Sequence, residues 1–142
     1  MSAVYEHLLV ATDGSEPASR AVEDALDVAE RHDATVHVLH VVDTGRYDES
    51  ALSSAELVVD DLEDEGWALV DEVAASASDR GLDAVTTVCH GRPADEILAY
   101  ADGHDVDLVV LGYTGESHKR TATIGHVSER VVQQAHRPVL VV

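Results

Sequence analysis

The chain has 142 residues, and Asp plus Glu outnumber Lys plus Arg by 28 to 9, for a formal net charge of -19. Such a surface repels nucleic acid and anionic membranes, while a hydrophobic content of 45% excludes a disordered acidic tail. A single cysteine, Cys89, rules out an intrachain disulfide and favours an intracellular setting.

The length suits one domain, residues 1–142, with a core that needs no disulfide or metal staple. The opening residues carry no basic segment followed by a long apolar one, and no apolar run approaches the roughly 20 residues that span a bilayer. A soluble, cytoplasmic protein is expected. The acidic excess is read as adaptation to a cytoplasm of high salt, where screening makes the charge tolerable. A cation-binding or decoy protein is the competing account of the same charge.

In chain order, HLLVATD (7–13) reads as a short apolar strand. SEPASRAVEDALDVAERH (15–32) reads as an amphipathic helix with Ser15 as N-cap and Ala18, Ala21, Val22, Ala25, Leu26 and Ala29 as its apolar stripe. TVHVLHVVD (35–43) is a second strand. A long helix is expected from about Leu52 to Arg80, closed by Gly81. DAVTTVCHG (83–91) is a third strand, and PADEILAYADGH (93–104) a short helix with Pro93 at its start. VDLVVLG (106–112) is a fourth strand, HVSERVVQQAH (126–136) a helix and PVLVV (138–142) a terminal strand. Such alternation predicts an α/β fold, a parallel sheet with helices on both faces. The apolar runs of the first, second and fourth strands fit strands buried on both sides.

In such a sheet ligands bind beyond the C-terminal strand ends, where the strand order reverses. The first strand ends at Ala11, Thr12 and Asp13. The fourth ends at Gly112, Tyr113, Thr114 and Gly115, and Gly125 and His126 then open a helix. Glycines let backbone N–H groups approach a phosphate, and a helix N-terminus adds further donors. Residues 113–130 hold three basic side chains, Lys119, Arg120 and Arg130, against Glu116 and Glu129, in an otherwise strongly acidic chain. An anion, if one binds, belongs here. Spacing alone fits an ordinary surface loop and helix cap equally well, and neither standard nucleotide fingerprint is present.

Other features weigh less. Asp61, Glu63, Glu65, Gly66 and Glu72 fall at calcium-loop positions, but the stretch also reads as helix, with Leu62, Gly66, Leu69, Val73 and Ala77 on one stripe. There Gly66 would let the helix sit close to the sheet. The nine histidines show no metal-ligand spacing, and His37 and His40 point to opposite faces of a strand. Cys89 reads as a small buried hydrophobe. His118 suits solvent or phosphate, and Tyr113 suits either packing on a ligand or shielding the loop. Ser15 and Ser117 lack a catalytic context, so no catalytic residue is assigned.

From end to end the chain resembles the universal stress proteins. The likeness rests on LLVATDGSEPASRAVEDAL, GRPADEIL, DLVVLGYTGESHKRTATIGHVSERVV and the terminal RPVLVV. It implies a three-layer sandwich of the adenine-nucleotide alpha-hydrolase-like kind, with a five-stranded parallel sheet in the order 3-2-1-4-5. It implies ATP (or AMP or ADP), with Mg²⁺, as ligand. Asp13 would bind the ribose hydroxyls, and Ala11, Thr12 and Val41 would line the adenine slot. Gly112, Gly115, Gly125, His126 and Val127 would hold the phosphates, with Lys119 and Arg120 as nearby cations. Gly112, Gly115 and Gly125 keep the G-x2-G-x9-G spacing of the ATP-binding members. His126 departs from it, standing where they carry Ser or Thr as phosphate donor and helix cap. Glu129 would then supply half of a capping box. The resemblance further implies a homodimer through the terminal strand, Pro138 to Val142, and a stress-response regulator or switch. The alternative is a nucleotide-independent dimeric scaffold of the same fold.

Overall fold

A computed structural model of the chain describes residues 5–43, 52–113 and 125–142. Strands and helices alternate as β1 (His7–Ala11), α1 (Glu16–His32), β2 (Thr35–Asp43), α2 (Leu52–Asp79), β3 (Ala84–Gly91), α3 (Pro93–Gly103), β4 (Leu108–Leu111), α4 (His126–Gln134) and β5 (Val139–Val141). The strands pair in parallel in the order β3-β2-β1-β4-β5, so β3 and β5 are the edges. The expected strand order and the edge position of the terminal strand are both met.

The two faces of the sheet carry separate apolar layers. Leu8, Val10, Val36, Val38, Leu108 and Val110 pack with the apolar stripes of α1 and α2. Leu9, Leu39, Val109 and Leu111 pack with Ile97, Tyr100 and Ala101 of α3 and Val131 of α4. The alternation along each strand sends successive side chains to opposite layers. All six residues of the α1 stripe are buried. Along α2, Gly66, Val73 and Ala77 are buried as expected, and Val70 joins them.

Backbone chemistry sets the ends. Ser15 caps α1, its hydroxyl accepting from Ala18 N at 3.3 Å. Past α2, Gly81 adopts a φ of 74°, and Gly81 N and Leu82 N donate to the carbonyls of Ser78 and Ala77. That is a Schellman closure, which favours glycine. β4 is shorter than the apolar run: Val106 N is taken by Ala101 O at the end of α3, and Gly112 O by the Ser128 hydroxyl of α4.

His37 and His40 do face opposite layers. The buried His37 ring bonds through Nδ1 to the Tyr100 hydroxyl at 2.7 Å and through Nε2 to His7 Nδ1 at 3.1 Å. Burial, then the neighbouring His7 and His104, hold its pKa below the usual histidine value. The folded chain therefore resists the proton that the unfolded chain accepts at about pH 6.5. Stability should be fully present above that pH and be lost as pH falls toward the depressed folded value. Urea unfolding of the native chain and of His37→Gln, from about pH 8 to about pH 5, reads this directly. The native chain should lose stability more steeply, and parallel profiles would remove His37 as the cause.

Candidate functional site

The strand order reverses between β1 and β4, which lie side by side with Val10 opposite Val110. The next residues on each strand, Ala11 and Thr12 against Leu111 and Gly112, therefore open the crevice at this end of the sheet. Ala11, Val41 and Val127 come from β1, β2 and α4, yet all three are partly buried against the same apolar layer. Asp13 stands exposed, two residues beyond the end of β1.

The β1–α1 turn is held by short bonds. Thr12 N donates to Leu39 O at 2.9 Å, extending the strand by one residue. The Thr12 hydroxyl accepts from Gly14 N at 3.3 Å, and Asp13 Oδ1 accepts from Ser15 N at 3.0 Å. The Asp13 carboxylate is thus oriented by its own turn, the local bonding that suits Asp here.

On the other side, Gly112 is wedged against α1. A Cβ there would lie 2.8 Å from the carbonyl carbon of Pro17 and 2.9 Å from Ala18 N, both immovable backbone atoms. Glycine at this position is needed for packing whatever else it does. Tyr113 is partly exposed and its backbone is clamped, N to Val142 O at 2.6 Å and O to Gly125 N at 2.9 Å. Gly115, His118, Lys119 and Arg120 lie outside the described residues.

Two expectations need correction. The cap of α4 is Gly125, not His126, and Gly125 O accepts from Glu129 N at 2.9 Å. His126 is therefore already inside the first turn, and Glu129 is one residue too far along for a capping box. Ser128 occupies the third helical position, and its buried hydroxyl donates to Gly112 O at 2.6 Å. Arg130, counted with the cations of the loop, instead meets Asp95 of α3 at 3.0 Å.

Sequence inspection missed Ser128 and His40. Ser128 is buried within a short amphipathic helix, a polar residue on its apolar face. His40 donates from Nδ1 to Thr12 O at 2.7 Å, directly behind the crevice. The signals were a polar residue interrupting an apolar strand and a glycine in the helix above it. The other chemical candidates recede. Burial and Glu96 push the Cys89 thiol up to about 11, so it stays protonated near neutrality. The acidic stretch 61–72 lies within α2, so it forms no calcium loop. No three-residue metal cluster of His, Cys, Asp or Glu occurs among the described residues. None of the described helices is long and apolar enough to cross a membrane.

The family model of the universal stress proteins matches residues 4–142. This chain belongs to the universal stress protein family. A universal stress protein of Methanocaldococcus jannaschii is 35% identical over 140 residues, 98% of this chain and 82% of that relative. Universal stress protein UspA from Lactobacillus plantarum superposes with a TM-score of 0.90 at 28% identity, covering 97% of each chain. A universal stress protein solved in complex with cAMP superposes with a TM-score of 0.71 at 26% identity, over 97% of this chain and 96% of that one. The sandwich is thus the adenine-nucleotide alpha-hydrolase-like one of the family.

The Ser128 hydroxyl fastens α4 to the end of β4, so its loss leaves the half-buried Gly112 carbonyl without this donor. Ser128→Ala should cost about 1–3 kcal/mol of folding stability. Urea denaturation measures it, and a midpoint equal to that of the native chain would mean water replaces the hydroxyl.

Proposed function

We propose that residues 1–142 act as one universal stress domain that binds an adenine nucleotide in the β1–β4 crevice. The ligand is ATP, with AMP or ADP as its alternative states, and occupancy acts as a switch in a stress response. The observation that carries this is that Ala11, Val41 and Val127 are partly buried on one apolar layer, with an Asp13 carboxylate held by its own turn at the end of β1. A flat base fits over the apolar trio, and a carboxylate accepts well from ribose hydroxyls. The solved relative that binds cAMP supports an adenine ligand.

The phosphates would lie toward Gly112, Gly115 and Gly125, over the start of α4, whose first-turn N–H groups favour an anion. Backbone N–H groups of His126 and Val127 would take part, with Tyr113, Lys119 and Arg120 from the adjoining loop. Mg²⁺, if it accompanies ATP, would be coordinated chiefly by phosphate oxygens. His126 offers a ring N–H in place of a hydroxyl, so triphosphate affinity should be the more fragile property. No catalytic step is assigned.

Calorimetry in molar KCl with Mg²⁺, using ATP and then AMP, tests the site. Asp13→Ala should weaken both ligands about tenfold or more, since a hydrogen bond to a charged group is lost. His126→Ser should improve ATP more than AMP. Absence of heat with either ligand, on folded protein free of co-purified nucleotide, would leave the scaffold function instead.

The edge strand β5 carries an exposed Leu140 beside the partly buried Val139 and Val141. We infer pairing of two copies through Pro138 to Val142, since an apolar edge invites another strand. At -19 per chain the dimer needs salt to screen repulsion, as expected of a protein suited to a saline cytoplasm. Light scattering across a KCl series should show a dimer at high salt and dissociation at low salt. A monomer mass throughout would reject the pairing.

A further inference from the structure

The two peptide groups flanking the Thr12 Cα are both held by β2. The Thr12 N–H donates to Leu39 O at 2.9 Å, and the Thr12 carbonyl accepts from His40 Nδ1 at 2.7 Å. A carbonyl only accepts, so the ring proton resides on Nδ1. Thr12 is buried and lies between the last β1–β2 pair, Ala11 with Leu39, and the exposed Asp13. Whatever fixes the Thr12 carbonyl therefore fixes the plane from which Asp13 departs.

The ring itself has little room. α2 crosses it at Gly66, where a Cβ would come within 2.5 Å of His40 Cδ2. One turn later, Leu69 of α2 stands 3.1 Å from the Cβ position of Gly14, in the same β1–α1 turn. The helix thus bears on the crevice at two points, through an imidazole and through a leucine. Such a bond is worth more for orientation than for stability, because the ring is already packed in one pose.

We propose that His40 is a positioning residue of the nucleoside site: clamped under α2 at Gly66, its Nδ1–H holds the Thr12 peptide, and through it the Asp13 carboxylate, in the pose that selects ribose. This rests on the nucleotide-binding function proposed above. His40 touches no ligand; it acts through Thr12 and Asp13. The consequence is selectivity as well as affinity. Without the His40 bond the turn that carries Asp13 can shift as a unit, Ser15 N still on Oδ1, and the carboxylate loses the alignment that serves the ribose 2′ and 3′ hydroxyls together.

The test compares AMP with 2′-deoxy-AMP by calorimetry for the native chain, His40→Phe, His40→Asn and Gly66→Ala. Phe keeps the ring and removes the donor. Asn places its amide nitrogen the same number of bonds from Cα as Nδ1, so it can restore the bond. His40→Phe should bind AMP about tenfold more weakly and lose most of the preference for AMP over the deoxy ligand, while His40→Asn retains it. Gly66→Ala should also lower the preference, because its methyl displaces the ring, although alanine is the better helix former. A His40→Phe protein that keeps the native affinity and preference would overturn the role of His40 and leave the nucleotide site standing. Equal preference in the Asn and Phe variants would make the ring a packing element only, which also overturns it. If His40→Phe does not fold, Gly66→Ala decides, and an unchanged preference there rejects the proposal. A native chain that binds no AMP would sink the nucleotide function itself, and this role with it.

Discussion

The geometry of the crevice depends on one close approach of backbone to backbone. At Gly112 the end of β4 passes so near the first turn of α1 that no side chain fits between them. That contact sets the separation between β4 and α1, and so the width of the opening between the β1 and β4 ends. Ser128 then draws the start of α4 onto the carbonyl of Gly112 itself. Two helix N-termini are in this way anchored around one residue that has no side chain. A substitution at Gly112 would move both helices before it touched any ligand.

The interior shows why small shifts would be felt. The chain has no phenylalanine, and the fully buried side chains of greatest volume are leucines and valines. Such cores fill space by close helix–sheet approach, with alanine lining α1 and glycine at the crossing of α2 over His40. With such close approach, polar side chains of β2 meet groups of neighbouring elements directly. His37 with Tyr100 on one face and His40 with Thr12 on the other are both products of this tight spacing. Buried polar groups in such positions are tolerated because each has a partner.

Much of this was legible in the sequence, for physical reasons that differ between elements. Strands buried on both faces must be apolar throughout, so β1 and β4 announce themselves, and the stripe of α1 repeats with helical spacing. Ends were less legible where tertiary bonds decide them. Nothing local in the run 106–112 says that Ala101 and Ser128 will claim groups at its two ends. α1 closes at Asp33 in a left-handed conformation more usual for glycine, which no local pattern announced. At the ends of β1 and β4, Asp13 and Gly112 were visible by motif. His40 was not, because a histidine inside a strand carries no sign of which carbonyl it will meet. The ion pair of Arg130 was hidden too, because its partner Asp95 is distant in sequence and near in space.

The acidic surface bears on how an anion could be held at all. Four of the six described arginines are engaged by carboxylates: Arg20 meets Glu16, Arg80 meets Glu23, Asp27 and Glu30, Arg130 meets Asp95, and Arg137 meets Asp102. Cations engaged in this way offer a phosphate little net attraction. Backbone N–H groups are different, because they carry no net charge to be neutralised by neighbouring carboxylates and their direction is set by the helix. In concentrated salt, moreover, charge–charge attraction at the surface is screened within a few ångströms, roughly 3 Å at molar strength. Short hydrogen bonds survive such screening far better than long-range fields do. An acidic protein working in salt would therefore do best to grip a nucleotide through peptide groups, an oriented carboxylate and apolar side chains, which are the means proposed for this crevice.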